Sequence, residues 1–135
     1  MVVPSLIKRA ISGENPLKVW GNGTAVRDFI HAKDVASGML LLAEKLPDKP
    51  VNLGSGVGVS IRELVEIIIL NLGEKPKVLW DELKPKGDDQ RILSMARAKE
   101  LGFEPKISLS EGIKETMEWY RKYKDTAHLR YDVYE

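Results

Sequence analysis

Two stretches of the chain set cationic side chains beside turn-forming glycines. Gly21-Asn22-Gly23 leads into Arg27, at the start of a predicted strand. The polar loop Lys84–Gln90 carries Lys84, Lys86 and Asp88 and runs into Arg91. A guanidinium is always charged and presents a planar fork of donors that matches phosphate oxygens. Arg27 therefore suits a phosphate ligand; an ion pair with Asp28 or another surface carboxylate is the plainer alternative. Lys84, Lys86 and Arg91 can add positive potential for an anion that must replace its lost water, or they form a solvated lysine-rich loop. Trp20, just before the turn, offers a large aromatic contact face or closes a strand end in the core. Asp88 can accept hydrogen bonds from hydroxyl groups or stabilise the turn at Gly87.

Other patterns imitate chemistry they do not carry. Gly54-x-Gly56-x-Gly58 has the look of a dinucleotide-binding loop. Val59 stands where the third glycine is required, and no acidic residue follows a second strand about 20 residues on. His31 and His128 lie far apart and cysteine is absent, which argues against a zinc site and excludes disulfides and thiolate metal sites.

Bulk composition narrows the class. The 135 residues suit one compact unit and are too few for a nucleotide-binding domain joined to a substrate domain. Hydrophobic residues at 43% and charged residues at 30% are ordinary for a folded, soluble protein. The net charge of +1, from 21 basic and 20 acidic residues, provides no field to gather nucleic acid or an anionic membrane. No apolar run reaches a membrane span and no signal peptide is evident, so a cytoplasmic location is expected, consistent with the lack of cysteine.

Periodicity and breakers outline the elements that must position these residues. A helix is expected over Val2–Ser12, with Pro4 near its first turn and Gly13 at its end. Leu17–Trp20 and Val26–His31 read as strands that form a small hairpin-like unit. Lys33–Leu46 reads as a helix with Asp34 at its start and a stripe of Val35, Met39, Leu42 and Leu46. Val51–Leu53 reads as a short buried strand, to be paired with strands outside this chain or with a second copy. Ser60-Ile61-Arg62-Glu63 and Ser108-Leu109-Ser110-Glu111 are capping boxes. The first opens a helix through Leu64, Ile67, Ile68 and Leu72. The second opens one to about Lys124, with Ile113, Met117 and either Tyr120 or Trp119 facing inward. A strand is expected over Lys77–Trp80 and a short helix over Ser94–Leu101. The compact unit spans residues 1–124, followed by a loose tail over 125–135. Helices and short strands alternate, so the fold class is α/β or α+β, rich in helix.

Four blocks of the chain, in order, resemble the extended short-chain dehydrogenase/reductases, the NAD-dependent epimerases and dehydratases. They are Val19-Trp20-Gly21-Asn22-Gly23-Thr24 with Val26-Arg27-Asp28-Phe29-Ile30-His31 and Asp34-Val35-Ala36; Val51-Asn52-Leu53-Gly54-Ser55-Gly56 with Ser60-Ile61-Arg62-Glu63-Leu64; Lys84-Pro85-Lys86-Gly87-Asp88 with Arg91 and Ala98–Phe103; and Ser108–Tyr120. The similarity runs over roughly residues 2–124. Val19-Trp20-Gly21, Lys84-Pro85 and Trp119-Tyr120 look most like the GDP-fucose synthases within that family. UDP-sugar 4-epimerases and sugar-nucleotide 4,6-dehydratases share several of the blocks.

The resemblance implies the sugar-nucleotide-binding C-terminal part of such an enzyme, without the Rossmann domain. Arg27 would hold the diphosphate and Arg91 would contact phosphate, with Lys84 adding charge. Trp20 and Val19 would pack near the base or ribose, Asp88 would reach the ribose hydroxyls, and Val2 and Leu6 would line the pocket. His31 would pack and hydrogen-bond. Tyr120-x-x-x-Lys124 has the spacing of the family's catalytic pair but lies far from where the family places it. The resemblance implies no cofactor bound by this chain, NADP or NAD in the parent enzyme, and a fragment inactive alone. The expected partner is a GDP-sugar or UDP-sugar, with a homodimer or a separate Rossmann domain possible and no nucleic acid or membrane. A self-associating structural module is the alternative. Ser94 stands where the family often has an acid that fixes the following helix.

Overall fold

The structure, a computed structural model, describes residues 2–84 and 87–126; Lys86, His128 and the expected tail beyond residue 126 lie outside the described residues. In chain order the elements are α1 (Val2–Ile11), β1 (Leu17–Trp20), β2 (Val26–Asp28), α2 (Ala32–Lys45) and β3 (Gly58–Ser60), then α3 (Ile61–Leu70), β4 (Val78–Asp81), β5 (Gln90–Arg91), α4 (Ala96–Glu100) and α5 (Leu109–Tyr123). Helices and short strands alternate as expected, and the strands form two small sheets.

The main core is built where α1, α3 and α5 meet β1. Leu6 and Ile7 of α1, Leu64 and Ile68 of α3, Ile113 and Met117 of α5, and Leu17 of β1 are all buried. Those on the helices lie at spacings that give each helix one apolar face, and burying each side chain stabilises the fold by about 1.5–3 kcal/mol. Tyr120, not Trp119, packs against this core from the last helix. Both capping boxes form. The Ser60 and Ser108 side chains accept from the N–H of Glu63 and Glu111, whose carboxylates accept in return from the serine backbone. These caps satisfy donors that a helix end leaves open and fix where α3 and α5 begin.

A second cluster of Met95, Ala98 and Phe103 gathers Ile30, Leu41, Val51 and Leu53. Here α2 turns a different face inward from the expected stripe. Asp34 and Gly38 are buried, whereas Met39 and Leu46 are 62% and 81% exposed. Asp34 sits in the first turn of the helix, as expected, and accepts from the Ile107 N–H at 2.9 Å. Gly38 leaves room for Leu53 and Phe103, which a Cβ there would meet at under 3.0 Å. His31 is the N-cap, its side chain accepting from the Lys33 N–H.

Two expected strand arrangements are corrected. β1 and β2 form no hairpin: β1 pairs in parallel with β4, while β2 lies between antiparallel β3 and parallel β5. Gly21 leaves β1 with φ of 78° and donates to the Asp81 carbonyl, which carries the chain along β4 before it turns away. Val51–Leu53 is not a strand. Its side chains pack into the second cluster, and Arg97 and Asn52 side chains tie this stretch to α4 through the Pro50 and Ser94 carbonyls. The strand of this region is β3, inside the glycine run. α4 begins at Ala96 instead of Ser94, and its N-cap Met95 makes no side-chain cap bond.

Candidate functional site

A cavity of about 950 Å³ opens beside α1, β1, β2 and β5. Val2, Val3 and Leu6 give it an apolar wall on α1, with Arg9 one turn further along. Val19 and Trp20 enter from the end of β1. Val19 is buried, but Trp20 is 63% exposed, so it stands at the rim and is not a strand-end core residue. Ile61, at the start of α3, and Phe29 add further apolar surface.

The cationic side comes from two distant parts of the chain. Arg27 and Arg91 are register partners in the parallel β2–β5 pairing, and both line the cavity. Arg27 Nη1 donates to the Val26 carbonyl at 2.7 Å and to the Asp88 carbonyl at 2.8 Å. Arg91 Nη2 pairs with the Asp88 carboxylate at 2.6 Å. Arg9 is gripped by Glu14 through Nε at 2.6 Å and Nη2 at 2.5 Å, and also donates to the Lys18 carbonyl. The Arg9 hydrogen bond, with help from the Lys18 N–H, pulls the Glu14 carboxyl down to about 2.

Asp28 also borders the cavity, but its carboxylate faces a web of donors. Oδ1 accepts from the Ser55 N–H and hydroxyl, and Oδ2 from the N–H groups of Gly56 and Leu93. Burial pushes this carboxyl up; the four hydrogen bonds outweigh it and leave the acid below its ordinary range. Ionised and saturated with donors, Asp28 is a staple between β2, the 54–56 loop and the segment after Arg91, not a general base. The described cavity wall otherwise offers guanidinium groups, an indole, a phenyl ring, the Ser5 hydroxyl and aliphatic side chains, a set that can bind an anion and an aromatic base.

Of the residues singled out in the sequence, Val2, Leu6, Val19, Trp20, Arg27 and Arg91 line this one cavity. Lys84 and Asp88 do not. The Lys84 ammonium instead lies over the Trp20 ring, 5.8 Å from its centroid. Asp88 holds the two arginines of the sheet through its carboxylate and carbonyl. Arg9 was missed although its signal is legible: Val2, Leu6 and Arg9 follow one helix face at i, i+4 and i+7.

The glycine run does not fit a dinucleotide. The Ser55 and Gly56 N–H groups, which would have to cradle a diphosphate, already donate to Asp28. Gly58 lies in β3 against Ile92 and Val26. Among the described residues there is also no group of three metal-ligating side chains, and no helix is long and apolar enough to cross a membrane.

Sequence and fold comparisons agree on the class. The profile of the NAD dependent epimerase/dehydratase family matches residues 1–54. GDP-L-fucose synthase 1 of Arabidopsis thaliana is 35% identical over 126 residues, which is 90% of this chain and 39% of that protein. The crystal structure of a UDP-glucose 4-epimerase from Thermotoga maritima, with UDP-glucose, superposes with a TM-score of 0.72 at 33% identity, covering 92% of this chain and 40% of that one. A GDP-L-fucose synthetase from Naegleria fowleri bound to NADP shares the fold, with a TM-score of 0.84 at 23% identity over 94% of this chain and 42% of its own. The chain is thus related to the NAD-dependent epimerases and dehydratases of the short-chain dehydrogenase/reductase class. Its curated relatives include GDP-L-fucose synthases, of whose length it spans about two fifths.

Proposed function

We propose that this chain forms the sugar-nucleotide pocket of an NAD(P)-dependent epimerase/reductase that acts on a GDP-sugar. The observation that carries the reading is the facing pair Arg27 and Arg91 on β2 and β5, set in one cavity with the exposed indole of Trp20. Two guanidinium groups suit a diphosphate and an aromatic face suits a base, while Val2 and Leu6 exclude water from the other side. The identity to GDP-L-fucose synthases supports guanine over uracil. In this reading a nicotinamide held by a Rossmann domain would supply the hydride, and the residues of this chain contribute substrate binding, in a cytoplasmic setting.

Calorimetric titration tests this. GDP should bind, UDP should bind more weakly, and Arg27→Ala should reduce GDP affinity about tenfold or more, as expected for lost charge-assisted hydrogen bonds. Equal affinities of wild type and Arg27→Ala would refute the reading.

The exposed apolar side chains Met39 and Leu40 of α2 and Leu46 at its C-cap favour a second element in the proposal. In the assembled enzyme this face is covered by the Rossmann domain, in the same polypeptide or in a separate one, instead of standing in water. A chain that is strictly monomeric and gains no melting temperature when mixed with a Rossmann polypeptide of this family would contradict the separate-polypeptide form.

A further inference from the structure

We infer that Arg62 and Trp80, neither of which lines the cavity, are positioning residues that clamp the Gly21–Thr24 turn and so set Trp20 and Arg27 at their working separation. The inference rests on the nucleotide-diphosphate reading above.

The turn joins the two proposed ligand-binding residues, and its glycines give it little conformation of its own. Gly21 and Gly23 both have positive φ, of 78° and 81°, where glycine carries no steric penalty but also no preference. Within the turn, Asn22 Oδ1 accepts from the Thr24 N–H at 3.1 Å and from its hydroxyl at 2.7 Å; the contacts that set the turn against the rest of the fold come from outside it. β1 pairs with β4 so that Val19 faces Trp80 and Trp20 faces Asp81, and the Gly21 N–H donates to the Asp81 carbonyl at 2.8 Å. The Trp80 ring then lies directly on Gly23: a Cβ there would sit 2.7 Å from the indole.

Arg62 closes the clamp from α3. Its guanidinium stacks on the Trp80 ring, with Cζ 4.7 Å from the centroid. Nη2 donates to the Asn22 carbonyl at 2.8 Å, and its backbone N–H donates to the Gly23 carbonyl at 3.0 Å. One residue earlier, the Ile61 N–H donates to the Ala25 carbonyl at 3.0 Å. The first turn of α3 therefore holds three carbonyls between Trp20 and Arg27, with the indole beneath them. A planar guanidinium can stack and donate sideways at once, which an ammonium cannot match. Arranging the turn before ligand arrives removes an ordering cost from binding.

The role predicts coupling between Arg62 and Arg27. The 135-residue chain is titrated with GDP as wild type, Arg62→Met, Arg62→Lys, Arg27→Ala and the Arg62→Met/Arg27→Ala double variant, with melting temperatures measured alongside. Arg62 is exposed at the helix start, so Arg62→Met should keep the fold. It should weaken GDP binding about fivefold through loss of the stacking and the hydrogen bond. Arg62→Lys should recover part of this. In the Arg27→Ala background, Arg62→Met should weaken GDP binding by clearly less than about fivefold, because one of the two residues it positions is gone and only Trp20 is left to misplace. An unchanged affinity in Arg62→Met, or a full fivefold effect persisting without Arg27, overturns the inference while leaving the pocket reading intact if Arg27→Ala itself weakens GDP. Failure of the wild type to bind GDP takes down both.

Discussion

Arg27 and Arg91 stand opposite each other in the parallel pairing of β2 with β5, although they are far apart in the sequence. Asp88 ties them, accepting from Arg27 with its carbonyl and from Arg91 with its carboxylate. Arg91 is the more solvated member, its side chain 74% exposed, so water screens its share of a ligand's charge. Arg91→Ala should therefore weaken GDP binding about threefold, less than Arg27→Ala. Calorimetry checks the order of the two losses; a larger effect at Arg91 would show that the phosphates sit nearer the rim.

Gly38 offers a test of packing in the second cluster. Alanine improves helix propensity by up to about 1 kcal/mol. Against that, the new Cβ would meet Leu53 Cδ2 at 2.7 Å and Phe103 Cε2 at 2.8 Å. Overpacking of this kind costs about 1–3 kcal/mol, so Gly38→Ala should lower the melting temperature. A higher melting temperature would mean that the cluster is looser than its geometry.

Acid should destabilise the protein in a defined window. Asp28, Glu14, Glu63, Glu111 and Glu115 are all held below their ordinary values by hydrogen bonds, to Arg9 for Glu14 and to Lys33 for Glu115, and for Asp28 these outweigh the upward push of burial. A lowered folded-state value means that the unfolded chain takes up protons first. The stabilisation is complete above the unfolded values near about 4 and is lost as pH falls toward the folded values. Melting temperature should stay level from pH 7 to about 5 and drop below about 4. Replacement of the central staple, Asp28→Asn, should make that drop shallower, and a rise in melting temperature on acidification would contradict the assignment.

The cap of α5 has a separable energetic role. Ser108 accepts from the Glu111 N–H and fixes the start of the helix that delivers Ile113 and Met117 to the core. Ser108→Ala should cost about 1 kcal/mol, or about 4 °C in melting temperature for a chain of this size, with no change in GDP affinity. A loss of affinity would tie α5 to the pocket.

Local signals made much of this fold legible. The capping boxes at Ser60 and Ser108, the faces of α1, α3 and α5, and β1 at Leu17–Trp20 follow from spacing within a few residues. What escaped depends on partners distant in the chain. β1 reads as half of a hairpin until β4 is seen beside it. Val51–Leu53 has the composition of a strand, but its side chains are held by α2 and α4, with no second strand beside it. The stripe Val35, Met39, Leu42 and Leu46 suggests one face of α2, yet a buried Asp34 bonded to the Ile107 N–H and the bare Gly38 turn another inward. At the site, residue type left Arg27, Arg91 and Trp20 with plain alternatives, and the family resemblance pointed to them. Asp88 and Lys84 fall outside the cavity lining: one ties the two arginines and the other lies over the Trp20 ring. Arg9 shares the helix face of Val2 and Leu6, but a basic residue in the last turn of a helix already has an ordinary explanation in the helix dipole, which masks that spacing.

The most direct measurement is a crystal structure of the chain with GDP. The account predicts the diphosphate between the guanidinium groups of Arg27 and Arg91, with the base toward Trp20. Nucleotide bound at another surface, or guanidinium groups turned to opposite sides with no diphosphate between them, would contradict it.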